Sequence, residues 1–213
     1  MRSATRAWTM LLLGAIWVST VELATAGEPM DLVRQTSDQV IKILEDPALQ
    51  GPAKQAERQE RLGKVSEQAF DWKEMAQRAL AVHWRERTPQ QQQEFVQLFR
   101  DLVERTYMQR IESAIQEKQD IQYLGEQVDG TRAVVKTSVV TKRNQQVPID
   151  YRLRKADGGW KIYDVLVENI SLVNNYRTQF NSIISSSSYN ALVEKMRARQ
   201  GNELSGGPGR KGP

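Results

Sequence analysis

The hydrophobic period of this chain changes from helical to alternating near Asp120, and that change limits the folds open to it. Before Asp120 the spacing is helical: Phe95, Leu98, Phe99, Leu102, Tyr107, Ile111 and Ile115 recur about once per turn. Val96 and Val103 broaden the stripe, and the opposite side is charged or glutamine-rich, as in a helix that lies on a core. Thr88-Pro89 sets its start, because Thr offers a capping oxygen and Pro loses nothing at the first helical position. The spacing predicts a helix from Pro89 to about Lys118. After Asp120 the pattern alternates. Ile121 to Val128 reads as one strand, and Asp129-Gly130 as a turn. Ala133, Val135, Thr137 and Val139 then share one parity. Val147, Ile149, Tyr151 and Leu153 alternate with Pro148, Asp150, Arg152 and Arg154, as on a half-solvated strand. Asp157-Gly158-Gly159 turns into a strand from Trp160 to Val167 that is apolar on both parities near its end, hence central or covered. Pro148 predicts an edge or a bulge at the start of the third strand.

The expected fold is therefore α+β, with helices packed over a curved four-stranded antiparallel sheet. Asp31 to Leu44 predicts a first helix, and the polar stretch from Lys54 to Arg61 a short surface helix. Asp71 can cap the next helix, with Glu74 at the reciprocal position and Phe70 placed to staple onto Met75. Beyond the sheet, Leu172, Val173, Tyr176, Phe180, Ile183 and Ile184 restore the helical period. Ser185 to Ser188 interrupts it, and Tyr189 to Arg199 forms a last amphipathic helix with Leu192, Val193 and Met196 inward. Glycine and proline after Gly201 predict a flexible tail over 201–213.

The first 26 residues belong to a different object. Arg2 and Arg6 precede an apolar run from Ala7 to Val21, and Ala24-Thr25-Ala26 supplies a small-residue cleavage site. Glu22 cuts that run short of the roughly 20 residues a membrane span needs. The reading is a cleaved secretory signal peptide over 1–26, followed by one domain over 27–200. Cleavage leaves 187 residues with 28 basic and 25 acidic side chains, a net charge of +3. The chain has no cysteine, so disulfides, thiolate nucleophiles and cysteine-ligated metals are excluded.

Little in the chain points to catalysis. The single histidine, His83, sits beside Trp84 and reads as a packing or surface residue. Asp150, Asp164 and Glu168 lie in or near strands without a nucleophile elbow, phosphate loop or metallohydrolase motif around them. No catalytic residue, metal or cofactor is expected. Arg152, Arg154, Lys155 and Lys161 form a small basic group suited to an acidic partner or anionic headgroups, too sparse to track a nucleic acid. The larger signal is apolar. Periodicity describes equally well a filled core and a helix-covered sheet with a cleft for a hydrophobic ligand.

Three stretches carry a resemblance. Phe70-Asp71-Trp72-Lys73-Glu74-Met75-Ala76 leads to Ala79-Leu80-Ala81-Val82-His83-Trp84. Thr88-Pro89-Gln90-Gln91-Gln92-Gln93-Glu94-Phe95 leads through Leu98-Phe99 to Tyr107. Trp160-Lys161-Ile162-Tyr163-Asp164-Val165 continues as Glu168-Asn169-Ile170-Ser171-Leu172-Val173-Asn174-Asn175-Tyr176-Arg177 and Gln179-Phe180. In this order they resemble the MlaC/toluene-tolerance family, over roughly Asp31 to Arg199. The resemblance implies an NTF2-like fold with a hydrophobic pocket and no enzymatic activity. It implies a monomeric periplasmic carrier of a Gram-negative bacterium that holds phospholipid as cargo and touches membranes transiently. Its implied partners are an inner-membrane MCE-domain/ABC transporter complex and an outer-membrane lipoprotein complex. A related branch accompanies hopanoid biosynthesis, and a small exported NTF2-like enzyme is the other reading. Where the family often has Glu-Gly before the Ser-Leu segment, this chain has Glu168-Asn169; Asn tolerates a left-handed backbone next best.

The lipid-binding residues expected on this basis are Phe99, Leu102 and Tyr107 on the long helix and Val135, Val139, Ile149, Tyr151 and Ile162 on the strands. Val165, Val173, Tyr176 and Phe180 complete the set. Exported protein is expected to begin at Gly27, and the intact mass of the secreted product checks this; a mass retaining residues 1–26 would contradict it.

Overall fold

Local chemistry sets most element ends. The computed structural model describes residues 28–117 and 120–198; the expected signal peptide and tail lie outside them. Helix α1 spans Glu28–Glu45, α2 Gln55–Ala69, α3 Trp72–Leu80 and α4 Pro89–Gln116. Thr88 and Gln91 cap α4 reciprocally, the Thr hydroxyl accepting from Gln91 N–H at 3.2 Å and the Gln amide oxygen from Thr88 N–H at 3.0 Å. The Asp71 carboxylate accepts from Glu74 N–H at 3.0 Å. Glu74 does not reciprocate: its carboxylate turns to Arg78 and Arg154. Phe70 stacks on Trp72, with ring centroids 5.3 Å apart. The surface helix expected over Lys54–Arg61 is longer than its polarity suggests, because Leu62, Val65 and Ala69 continue it onto the core.

The strands are β1 (Asp120–Asp129), β2 (Arg132–Val140), β3 (Gln146–Ala156), β4 (Gly159–Val167) and β5 (Ile170–Ser171). They pair antiparallel in sequence order. The sheet thus has five strands where the sequence reading has four. The addition is a two-residue strand folded back on Leu166 and Val167. Its turn holds Glu168 at φ 50° and Asn169 at φ 65°. Tight hairpins favour this double left-handed turn, and Asn169 meets its demand as the Gly-to-Asn departure anticipated. Pro148 is neither on an edge strand nor at a bulge. It pairs with Ser138 of β2 and lies one residue beyond the last β3–β4 pair, Ile149 with Val167. A missing N–H costs no ladder bond there, and its carbonyl accepts from Glu168 N–H at 2.9 Å.

After the sheet come α5 (Leu172–Ser186) and α6 (Tyr189–Arg197). The serine run is their junction: Ser187 ends α5, and the Ser188 hydroxyl caps α6 at Ala191 N–H. Two buried clusters result. One joins α3, α4, α5 and α6 through Phe95, Phe99, Tyr176, Phe180 and Leu192. The other joins α1 to the sheet through Met30, Val33, Val135, Leu153 and Ile162. Phe70 packs against both and pairs with Ile162 as an isolated bridge.

Asp164 ties β4 to α5. It is 2% exposed, and its carboxylate accepts from Ser171 Oγ–H at 2.7 Å, Val173 N–H at 3.1 Å and Arg152 at 3.2 Å. A buried carboxylate so satisfied at a helix start is an anchor. Asp164→Ala leaves two inward donors without their acceptor and is expected to cost about 2–4 kcal/mol. Urea denaturation checks this; a loss below 1 kcal/mol would contradict the anchor.

Candidate functional site

The sheet sorts its side chains into rows. Cross-strand partners place Glu126, Val135, Tyr151 and Val165 in one row. Tyr123, Thr137, Ile149 and Val167 form the next, then Ile121, Val139 and Val147. Directly opposed residues share a face, so these rows form one continuous apolar wall with few polar interruptions. Helix α1 covers its first part. It is fixed by Met30 N–H donating to Glu126 at 2.9 Å and by Trp160 Nε1–H donating to Glu28 at 3.1 Å. Further along, coverage thins: Tyr123, Val139, Val147, Ile149, Tyr151, Val165 and Val167 all keep part of their surface.

The twelve expected residues divide accordingly. Phe99, Leu102, Val173, Tyr176 and Phe180 are buried in the helical cluster, with Tyr107 packed at its margin. Val135 and Ile162 are buried in the sheet cluster, and Tyr151 and Val165 pack against it. Val139 and Ile149 belong to neither cluster and are half-buried on the same wall. The set therefore mixes packed core with accessible wall. Tyr107, Val139, Ile149, Tyr151 and Val165 have free surface, whereas Phe99, Val135 and Phe180 have none. Tyr123 is the principal omission. A bulge at Leu124, between the Tyr123 and Gly125 pairings, reverses the parity of β1 partway. Ile121 and Tyr123 therefore share a face with Glu126, and simple alternation cannot find them.

Two phenols, Tyr151 on the sheet and Tyr107 on α4, are shifted by burial. Burial pushes Tyr151 up to about 12, and the neighbouring Tyr123 adds to this. A hydrogen bond with Thr137 opposes it more weakly. Burial likewise pushes Tyr107 up to about 12, helped by Tyr176 and opposed by Arg110. Yet neither side chain is fully enclosed by packing. Burial disfavours the charged phenolate, which is the cause of both shifts. The Tyr107 hydroxyl also has no hydrogen-bond partner among the described residues. The polar candidates are engaged elsewhere: Asp164 in its anchor, and His83 Nε2 with Asn181 at 3.0 Å.

Comparison with known proteins decides the family. The family model described as MlaC protein matches residues 34–198. The chain belongs to the MlaC family. No curated protein matches it significantly. A solved phospholipid-binding protein from Ralstonia solanacearum, determined in complex with a phospholipid, is similar at 27% identity and a TM-score of 0.72. The match covers 84% of this chain and 99% of that one. The MlaC match takes in α2 to α6 entire and most of α1, so both layers of the wall fall within it.

The two shifted phenols give this MlaC-family chain a pH signature. Tyr107 and Tyr151 stay protonated in the fold to about pH 12, while the unfolded chain releases these protons near pH 10. Between those values the unfolded state binds fewer protons, so stability falls as pH rises. The urea midpoint should hold below pH 10 and decline from 10 towards 12. Tyr107→Phe/Tyr151→Phe should flatten that decline; an unchanged slope would contradict the assignment.

Proposed function

We propose that this protein is a periplasmic carrier that binds phospholipid acyl chains against the sheet wall and carries lipid between the outer membrane and an inner-membrane MCE/ABC transport complex. In this reading it is not an enzyme, works as a soluble monomer of NTF2-like architecture and meets membranes only transiently. Membership of the MlaC family and the phospholipid held by the Ralstonia protein support lipid as the cargo. The observation that carries the reading is the apolar sheet face on which Tyr151, Ile149 and Val139 are only half-buried. Each CH₂ moved from water to such a wall gains roughly 0.8 kcal/mol, so two acyl chains supply ample energy for a water-soluble complex. The headgroup needs no burial, and it stays at the open end. Among the described residues no helix is long and apolar enough to cross a membrane.

The wall residues here are Tyr107, Val139, Ile149, Tyr151 and Val165, with Tyr123 added. Phe99, Leu102, Val135, Ile162, Val173, Tyr176 and Phe180 back them as the packed layer. Native mass spectrometry with lipid extraction tests the reading. The purified protein should carry phospholipid, or take it up from mixed micelles once stripped. Ile149→Trp and Val139→Trp should each fill space at the wall and reduce bound lipid several-fold while the circular dichroism spectrum is retained. Absence of lipid with no uptake on reconstitution would sink the proposal.

A further inference from the structure

The basic group Arg152, Arg154, Lys155 and Lys161 does not act as one patch. Arg152 turns to Asp164, and Arg154 pairs with Asp71 at 2.7 Å and Glu74 at 3.5 Å. Lys155 and Lys161, with Arg154, line a groove of about 700 Å³. The groove lies where the β1–β2 and β3–β4 turns meet the start of α3 and the first half of α4. None of the twelve wall or core residues above borders it. It is a second concave site, independent of the lipid reading.

The lining carries Lys73, Arg100, Arg154, Lys155 and Lys161 beside Glu67, Asp71 and Asp157. Both arginines are already engaged, Arg154 by Asp71 and Arg100 by Glu104 at 2.9 Å and Glu67 at 3.6 Å. The three lysines have no ion-pair partner among the described residues. Lys161 donates to the Gln68 carbonyl, and Lys155 Nζ lies 5.9 Å from the Trp160 ring centroid; neither contact removes charge. A concave surface brings unpaired charges to bear on one volume. A second observation is independent of charge. Trp72 forms part of the groove lining, is 8% exposed, and its Nε1–H has no acceptor among the described residues. A buried donor left unmade is costly, and a shift of the indole towards an oxygen-bearing ligand in the groove relieves that cost.

We propose that this groove binds a phosphate-bearing anion, presented by a lipid headgroup or by a soluble organic phosphate. The donor set selects the class. A planar carboxylate is best held by the fork of an arginine, and both forks here are occupied. Three lysine ammonium groups are point charges set around a cavity, which suits a multi-oxygen anion carrying up to two charges.

The indole N–H resonances of ¹⁵N-labelled mature protein test this, since Trp72, Trp84 and Trp160 are the tryptophans after residue 26. Trp72→Phe assigns the first. Inorganic phosphate and glycerol 3-phosphate should shift the Trp72 signal saturably, and chloride at matched ionic strength should not. Lys73→Gln/Lys155→Gln/Lys161→Gln, all on the surface, should weaken binding about tenfold or more with the melting temperature retained. Flotation with phosphatidylglycerol vesicles separates the sources. Recovery of the wild type and loss of the triple variant assigns a headgroup; response to free phosphate alone assigns a soluble ligand. A Trp72 signal unmoved by both probes, or moved equally in the triple variant, overturns the proposal.

Discussion

The aromatic contact between α4 and α5 is the constraint from which the rest of the architecture follows. The Phe99 ring lies 5.3 Å from Tyr176, 5.9 Å from Phe180, 6.2 Å from Phe95 and 6.5 Å from Trp72. Most of these contacts are edge-to-face, an arrangement that adds to simple burial. They fix the first half of α4 against α3 and α5, and Phe95 against Tyr189 at 6.3 Å adds α6. The helix then runs on for several turns past its packed aromatics, with Tyr107 at the margin of the cluster and Ile111 39% exposed. The helical layer is thus firm at one end and thinly packed at the other. The sheet wall shows the same gradient, from buried Leu153 to half-buried Val139.

Asp164 and Phe70 transmit that firmness to the sheet. Asp164 holds the start of α5 to β4 through two hydrogen bonds and pairs with Arg152 of β3. Phe70 packs on both clusters, and Asp71 N–H donates to the Ile162 carbonyl at 2.8 Å. Phe70 and Asp71 also line the basic groove, so its geometry rests on the stiff part of the fold. The apolar wall with free surface lies towards the opposite end of the strands. A ligand needing fixed charges and one needing adaptable apolar volume are therefore served by ends of different rigidity.

Much of this was legible in residue order, and the limits have physical causes. Thr88-Pro89, Asp71 and Ser188 announce helix starts because capping is local chemistry. The four long strands follow from alternation for the same reason. β5 was not legible: two residues carry no period, and only a left-handed turn at Glu168 and Asn169 creates it. α2 was underestimated because its buried side needs only three apolar residues. Parity assigns a residue to a face but does not say whether that face meets packing or open space. Phe99 and Tyr107 lie on one helix stripe and Val135 and Val139 on one strand parity, yet each pair splits between core and wall. The Leu124 bulge concealed Tyr123 by reversing a parity that sequence alone treats as continuous.

The uneven coverage also explains how stability and cargo binding can coexist without cysteine. A sheet face packed along its whole length would give the tightest fold and leave nothing to fill. One left open along its whole length would expose a wide apolar patch, which soluble proteins avoid. Here α1 seals the first rows, where Met30 and Val33 meet Val135 and Leu153. In the rows beyond, Tyr123, Val139, Val147 and Ile149 keep part of their surface, which the proposed lipid would cover. Any ligand that binds only the folded chain adds its own binding free energy to folding. The apolar surface withheld from the core is thus recovered when the site is filled, and a domain without disulfides retains a stiff half to hold the open one in register.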